Sequence, residues 1–213
     1  MTNKLRVVVL ISGGGTTLRN LIDCTKNKSL PIDIVGVVSS TESARGLLFA
    51  EGAGIPSVVL RHAKQQSLEQ YSESLFDYCR QAGAQLVVMA GWLKLLRIPE
   101  DFADRVVNIH PALIPAFCGQ GMYGQRVHEA VLAKGAKVSG CTVHFVDNQY
   151  DHGPIIAQRA VPVLADDTPH SLAARVFAAE CELYPTVLRW IVAAGKIRVE
   201  GRQVRFDTTR ADS

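Results

Sequence analysis

The amino-acid sequence predicts an α/β fold: a doubly wound, mostly parallel sheet, then antiparallel strands, a long late helix and a small terminal hairpin. Continuous apolar runs such as residues 5–11 (LRVVVLI) are typical of strands buried on both faces of a parallel sheet. Short connections join these runs to helix-like stretches. Strands and helices that alternate in this way form parallel sheets with helices on both faces.

The predicted elements of the first half follow this alternating order. Strands are expected at residues 5–11, 32–38, 57–60, 85–90 and 105–109, with helices at 18–22, 43–52 and 67–81. The order changes later, because the strand-like stretches 137–146 and 155–163 have no helix between them and can pair antiparallel.

A long helix is predicted over residues 169–194, near the end of the chain. Ser171 is its candidate cap and Gly195 its stop, while Pro185 is expected to kink or split it. Two short strand-like stretches around residues 200–202 then predict a hairpin.

Composition excludes several classes of protein. The 213 residues are 47% hydrophobic, enough for a sizeable core, and the net charge of +3 is too small to indicate a nucleic-acid surface. No apolar run reaches the roughly 18 residues that span a bilayer, and the N-terminus lacks the form of a signal peptide. The five scattered cysteines are typical of reduced thiols, so we expect a cytoplasmic protein.

A glycine turn at residues 13–15 separates the first strand from the first helix. Glycines let a ligand approach the backbone, and a helix start offers N–H groups at the positive end of its dipole. The turn lacks the Lys of a Walker A loop, and Leu18 stands where a dinucleotide fingerprint needs glycine. It suits a phosphate monoester, with Thr16 and Thr17 as further donors. A tight turn without a ligand is the alternative.

Asn108 and His110 stand two residues apart at the end of the fifth predicted strand. Alternate residues of a strand face the same side, here at the carboxyl end of a parallel strand, where such folds place ligands. An acyl or formyl transfer needs a donor for the developing oxyanion and a carrier for the amine proton. Asp151, in a turn between two strands, is the candidate partner of the histidine. The alternative is a strand-end pair and an ordinary turn residue.

Other catalytic patterns find no support in the sequence. The six histidines form no His-Glu-x-x-His pair or other ligand-rich motif, so we expect no metal. His144 alternates with apolar neighbours, which is typical of a satisfied sheet histidine or of a residue that supports a site from behind. The Gly-x-Ser-x-Gly elbow of serine hydrolases does not occur.

Several stretches of the sequence together resemble the phosphoribosylglycinamide formyltransferase family, folate-dependent enzymes of purine synthesis. They are VLISGGGT (9–16), AGWLKLL (90–96), NIHPALIP (108–115), VHFV (143–146), DHGPII (151–156), and Glu180 with Tyr184 and Pro185. The resemblance implies the Rossmann-like formyltransferase fold in a single domain, 1–213. Its phosphate-binding half would cover about residues 1–100, and its catalytic and folate-binding half about residues 101–206.

The resemblance also implies the site residues. Asn108, His110 and Asp151 match the catalytic trio, in which Asn108 holds the formyl oxygen and Asp151 raises the pKa of the proton carrier, His110. The acceptor is implied to contact Gly15, Thr16, Thr17, Gly91, Pro111 and Glu180, the last through its ribose hydroxyls. The donor, 10-formyltetrahydrofolate, is implied to contact Leu93, Lys94, Leu95, Leu96, Asn108, Val146, Asn148 and Tyr150.

The sequence departs from the family at four places. Thr16 and Thr17 replace a frequent Ser-Asn, Leu68 stands near a basic residue that helps to hold the folate tail, and Phe177 replaces a polar residue of some members. The glycine-rich segment 116–124 is longer than in familiar members, and is expected to be either a mobile lid or a plain surface loop.

The implied reaction is direct attack of the amine of 5-phosphoribosylglycinamide on the formyl carbon, through a tetrahedral oxyanion. A formyltetrahydrofolate deformylase, which uses the same trio on water, is the alternative, although such relatives usually carry an extra N-terminal domain. A formylase of initiator tRNA would need a C-terminal RNA-binding domain, and an intact trio disfavours a non-catalytic nucleotide-binding module. We expect small-molecule substrates and neither nucleic-acid nor membrane partners. The sequence does not predict the oligomeric state.

Overall fold

The computed structural model describes residues 4–194 and 196–207. Its strands are β1 (Leu5–Ile11), β2 (Ile32–Ser39), β3 (Ser57–Val59), β4 (Leu86–Met89), β5 (Val106–His110), β6 (Val138–Phe145), β7 (Ile155–Pro162), β8 (Lys196–Glu200) and β9 (Gln203–Asp207). Its α-helices are α1 (Thr16–Lys26), α2 (Gly46–Gly52), α3 (Leu68–Gln81), α4 (Gln125–Ala133) and α5 (Pro169–Ala193), and a 3-10 turn covers Glu100–Phe102.

Seven strands form one sheet in the order β3-β2-β1-β4-β5-β6-β7, and β8 and β9 form a separate hairpin. The pairs from β3 to β5 are parallel, whereas β6 and β7 are antiparallel. The connections run alternately to both sides of β1, as in other doubly wound sheets. The predicted fold class, including the late helix and the hairpin, is therefore confirmed.

The chain divides into two compact units, one up to Asn108 and one from Ile109 onward, so the boundary lies within β5. In the first unit β1 is the central strand. Its last five residues are completely buried between the parallel neighbours β2 and β4. This burial explains the unbroken apolar run, because a strand covered on both faces has no solvent side on which polar residues are favoured.

In the second unit α5 packs on β6, β7 and α4. A buried hydroxyl fixes the chain where it leaves β5, since Thr142 donates to the carbonyl of Ala112 at 2.7 Å and accepts the N–H of Ile114 at 3.1 Å. The amide of Gln158 donates to the carbonyl of Ile114 at 2.9 Å. The polar residues of β6 and β7 thus hold the segment that follows His110.

Three sequence-based expectations about the helices were wrong or incomplete. Helix α5 runs without interruption through Pro185, because the buried apolar residues around the proline outweigh the loss of one backbone hydrogen bond. The cap of α5 is Thr168, with Ser171 as its reciprocal partner, and the helix ends at Ala193. The predicted stop at Gly195 lies outside the described residues. Helix α4 was not predicted.

No helix in the described part of the chain combines the length and the apolar character that a membrane crossing requires.

Candidate functional site

The structure brings His110 and Asp151 together in the second unit. Nδ1 of His110 lies 3.4 Å from Oδ2 of Asp151, with the two side chains 3% and 12% exposed. His110 ends β5, and Asp151 lies in the connection between β6 and β7. A buried imidazole beside a buried carboxylate is an arrangement that can hold and move a proton.

Burial and charge shift the pKa values of both groups. Burial is the largest effect on His110 and lowers its pKa, although the charge of Asp151 and the carbonyl of Phe117 act in the opposite direction. For Asp151 burial is also the largest single effect and raises the pKa. Together, hydrogen bonds from His144 and the Gly119 N–H and the charges of both histidines outweigh it, so the net pKa is lowered. Asp151 thus acts on His110 in the expected direction, but the net pKa of His110 falls.

The glycine-rich segment 116–124 contacts this pair through its backbone. The carbonyl oxygen of Phe117 lies 2.9 Å from Nε2 of His110, and the N–H of Gly119 donates to Oδ2 of Asp151 at 2.9 Å. Sequence reasoning did not assign these contacts, because backbone atoms leave no mark in residue type. The glycines and the unusual length were the only signal.

His144 is the third polar side chain of the cluster. Its Nε2 lies 3.7 Å from Oδ1 of Asp151, and its Nδ1 lies 2.7 Å from the carbonyl oxygen of Phe145. The sequence placed it correctly on a buried strand. Its proximity to Asp151 was not predicted, because that proximity depends on the path of the turn after β6.

The turn at residues 147–153 positions Asp151 by close backbone packing. Asp151 has a left-handed φ of 50°, which aspartate tolerates better than most residues. A Cβ on Gly153 would lie 1.9 Å from the carbonyl oxygen of Phe145, so only glycine fits there. His152 binds Asp147 at 2.6 Å, and the guanidinium of Arg202 in the terminal hairpin donates to the carbonyl of His152.

Asn108 lies on β5 and is half-buried, two residues before His110. The two side chains therefore share one face of the strand, as the spacing predicts. Pro111 follows His110 and is half-buried. The polar face of β5 thus offers an amide donor beside the imidazole.

The glycine turn at residues 13–15 lies in the first unit and contains two kinds of glycine. Gly15 has a φ of 73° and a Cβ there would lie 2.3 Å from Cα of Gly46, so packing alone requires glycine. A Cβ on Gly13 or Gly14 would meet nothing within 4 Å, so packing does not explain these two glycines. No side chain caps the start of α1, which leaves its first N–H groups available to an anion beside Thr16 and Thr17.

The stretch from Gly91 to Leu96 is tied to the end of β1. Ser12 donates its N–H to the carbonyl of Gly91 at 3.1 Å, and its hydroxyl accepts the N–H of Leu93 at 3.1 Å. Leu93 and Lys94 are exposed and Leu95 is half-buried, whereas Leu96 is buried in the core. Ser12 is therefore a positioning residue that the sequence did not reveal.

Glu180 lies on α5 with its carboxyl group buried, although the residue as a whole keeps some exposure. Burial raises its pKa to about 7. A buried carboxyl that titrates near neutral pH is a frequent feature of ligand sites, although it is found in structural positions as well. The interpretation of Glu180 as a binding residue thus remains a prediction with a physical basis.

The other predicted residues lie mostly at the surface. Asn148 and Tyr150 are exposed in the turn that carries Asp151, and Val146 is half-buried. Leu68 begins α3 and Phe177 lies on α5, both half-buried. Within the described ranges no three His, Cys, Asp or Glu side chains are grouped as metal ligands.

Comparisons with known proteins agree with this site. The sequence matches the model of the formyl transferase family over residues 5–188. The chloroplastic phosphoribosylglycinamide formyltransferase of Arabidopsis thaliana is 42% identical over 188 residues, which cover 87% of this chain and 64% of the relative. This chain thus spans less than two thirds of that relative's length.

Two bacterial proteins match over nearly their whole length. The phosphoribosylglycinamide formyltransferase of Haemophilus influenzae is 33% identical, with 95% of this chain and 93% of the relative covered. The solved glycinamide ribonucleotide transformylase 1 from Symbiobacterium toebii has a TM-score of 0.87 and 38% identity, with 95% and 94% covered. Sequence, fold and site thus agree: the chain belongs to the formyl transferase family.

Proposed function

We propose that this chain transfers a formyl group from 10-formyltetrahydrofolate to the amine of 5-phosphoribosylglycinamide, a reaction of purine biosynthesis. The observation that carries the proposal is the buried pair of His110 and Asp151 beside Asn108 on one strand, in a member of the formyl transferase family. The names of the relatives support the choice of acceptor.

The reaction needs one new bond, one broken bond and one moved proton. The amine nitrogen attacks the formyl carbon, and the bond from this carbon to N10 of the folate then breaks. The proton that the amine loses is the proton that N10 gains, so the enzyme supplies a carrier and no net acid. His110 is the proposed carrier, because an imidazole gives and takes a proton near neutral pH.

Asn108 and Asp151 have supporting roles in this proposal. The amide of Asn108 donates to the oxygen of the tetrahedral intermediate, a contact worth about 3 kcal/mol in comparable sites. Asp151 stabilises the imidazolium that forms when His110 takes the proton. Because the pKa of His110 is lowered, the ring is mostly neutral at pH 7 and is charged only while it carries the proton.

The two substrates are assigned to separate groups of residues. The acceptor phosphate is proposed to bind the turn at residues 13–15 and the hydroxyls of Thr16 and Thr17, where no acidic residue lies in the first turn of α1. Glu180 is proposed to bind the ribose hydroxyls, and Gly91 and Pro111 to contact the acceptor. The folate is proposed to contact Leu93, Lys94, Leu95, Leu96, Asn108, Val146, Asn148 and Tyr150, of which Leu96 offers only its backbone, since its side chain is buried.

The surroundings of the reaction are also part of the proposal. We infer a cytoplasmic enzyme of small-molecule substrates in a single functional domain, with no metal requirement and neither nucleic-acid nor membrane partners. Addition of a chelator tests the metal inference, because formyl transfer is expected to continue at an unchanged rate.

The decisive experiment supplies 10-formyltetrahydrofolate with and without 5-phosphoribosylglycinamide and follows the release of tetrahydrofolate. Release that depends on the amine, with one formylated product per folate, is expected. Release without the amine at the same rate would instead identify a deformylase. The His110→Asn protein is the blank, because it keeps a polar side chain on the strand but has no group that carries a proton.

A further inference from the structure

Asp151 lies between two buried imidazoles. One carboxylate oxygen faces His110 at 3.4 Å, and the other faces His144 at 3.7 Å. The side chains of both histidines are almost fully buried. Water therefore cannot easily separate these groups, and the proton distribution among them is set by the protein.

Backbone carbonyls fix the proton on the far side of each ring. Nδ1 of His144 lies 2.7 Å from the carbonyl oxygen of Phe145, and Nε2 of His110 lies 2.9 Å from that of Phe117. A carbonyl oxygen only accepts, so each of these nitrogens must carry a hydrogen. A neutral imidazole has only one N–H, so the nitrogen that each ring turns toward Asp151 is then a lone pair.

Two lone pairs facing an ionised carboxylate repel it from both sides. The repulsion disappears at one ring when that ring gains a second proton and becomes an imidazolium. One carboxylate can balance only one such charge well, because a second imidazolium would face both a used counter-ion and a like charge. The three groups therefore share one additional proton.

We propose that His144 is a positioning residue for His110: it competes with His110 for the one proton that Asp151 can balance, and thereby keeps His110 neutral between turnovers. The inference rests on the proposed role of His110 as proton carrier. It adds a residue to which that role had not been assigned.

The surrounding groups leave this competition to the two histidines. On α4, burial and the charge of His110 lower the pKa of His128, so this ring stays neutral. In segment 116–124, burial and the charge of Asp151 raise the pKa of the Cys118 thiol, so it stays protonated. The partner of His144 on β7 is the apolar Ile155. The Gly119 N–H reaches only the oxygen that faces His110.

The functional consequence is a carrier that is ready to accept. If Asp151 held its proton on His110, this ring would be unable to take one from the attacking amine. With the proton on His144, His110 is neutral and the carboxylate is still close enough to stabilise the charge that His110 gains. Electrostatic repulsion from His144 also makes His110 release that proton to the leaving folate.

The test uses two replacements of His144 that cannot titrate. His144→Asn keeps a donor for the Phe145 carbonyl, and His144→Gln keeps a donor for Asp151, so the two variants preserve different halves of the geometry. His170→Asn is the matched control, because His170 is an exposed histidine at the start of α5. Circular dichroism and thermal unfolding establish that each variant is folded.

The readout is the titration of each histidine ring, followed by long-range proton–nitrogen correlation NMR on protein with labelled histidine. Loss of the competitor is expected to raise the midpoint of His110 by about one pH unit in both variants, with no change in the control. The pH limb of kcat/KM that reports His110 is expected to move upward by the same amount. In the wild type, Nδ1 of His144 is expected to carry hydrogen throughout the titration.

An unchanged His110 midpoint in both variants would overturn the proposal, and so would a neutral wild-type His144 with its hydrogen on Nε2. The second result needs no variant, so a folding defect cannot obscure it. Because NMR uses no substrate, the outcomes are separable. A shifted midpoint without formyl transfer refutes only the proposed function, and formyl transfer without a shifted midpoint refutes only the role of His144.

Discussion

The backbone carbonyl of Phe117 and the imidazole of His110 are joined by a 2.9 Å hydrogen bond. The glycine-rich segment 116–124 is therefore part of the candidate site and not only a surface connection. Two residues later the N–H of Gly119 donates to Asp151, so the segment touches both members of the buried pair. This geometry leads to predictions that separate backbone contacts from backbone strain.

Gly119→Ala is expected to lower kcat about tenfold or more, because the N–H that stabilises the Asp151 carboxylate shifts as the backbone leaves its φ of 95°. Gly121→Ala is the matched control. Gly121 has a similar φ of 86°, and a Cβ at either position meets nothing within 4 Å. Both variants are expected to lose about 1 to 2 kcal/mol of unfolding free energy. Equal turnover in the two proteins would show that the Gly119 contact has no catalytic effect.

Asp151→Asn is expected to reduce kcat about 100-fold or more while the protein remains folded. Asparagine tolerates the left-handed backbone of this position as well as aspartate does, so strain does not contribute to the loss. Steady-state kinetics of formyl transfer measure the effect, with the exposed Asp166→Asn protein as a control near the wild-type rate. Near-normal turnover of the Asp151 variant would refute the role assigned to this carboxylate.

Replacement of two glycines in the 13–15 turn is expected to have opposite consequences. Gly15→Ala should destabilise the protein by about 2 kcal/mol or more, because its Cβ meets the backbone of Gly46 and its φ is positive. Gly13→Ala should unfold normally but raise the KM of the phosphorylated acceptor about tenfold, because the methyl group occupies the space open to a ligand. Denaturant unfolding and acceptor kinetics test the pair. An unchanged KM in Gly13→Ala would argue against an anion at this turn.

Glu180 is expected to make stability depend on pH. Its carboxyl titrates near 4.5 in the unfolded chain and near 7 in the folded protein. Below pH 4.5 both states are protonated and nothing is lost. As pH rises toward 7 the unfolded state ionises first, so stability falls by up to about 3 kcal/mol. Glu180→Gln should remove this fall.

Thermal unfolding at pH 5 and pH 8 measures the effect of Glu180. The difference in Tm between Glu180→Gln and the wild type is expected to be more positive at pH 8 than at pH 5. A constant difference would show that the carboxyl is not ionised at a cost in the folded protein.

Local patterns predicted most of the fold. The apolar run of β1 and the absence of a helix between β6 and β7 were sufficient for the parallel and antiparallel parts of the sheet. Prediction failed where tertiary packing outweighs local preference, as at Pro185, which lies within a continuous α5 because its neighbours are buried. Helix α4 was missed because it follows a run of glycines and has no side-chain cap.

The site was predictable to the extent that it consists of side chains with distinctive chemistry. Asn108 and His110 were located by strand periodicity, and their proximity to Asp151 was expected from the order of the elements and the family resemblance. The contacts of Phe117 and Gly119 were not predictable, since a peptide N–H or carbonyl is present in almost every residue. His144 was recognised as buried, but its position beside Asp151 follows from a turn that only the three-dimensional structure defines.

The contact between Gly15 and Gly46 has a further consequence. The N–H of Gly46 also donates to the carbonyl of Gly13 at 3.2 Å, so the turn is fixed at both ends by backbone alone. An anion that arrives there meets a preorganised loop and loses little binding free energy to conformational entropy. Affinity at this turn is then limited by desolvation of the anion and not by ordering of the protein.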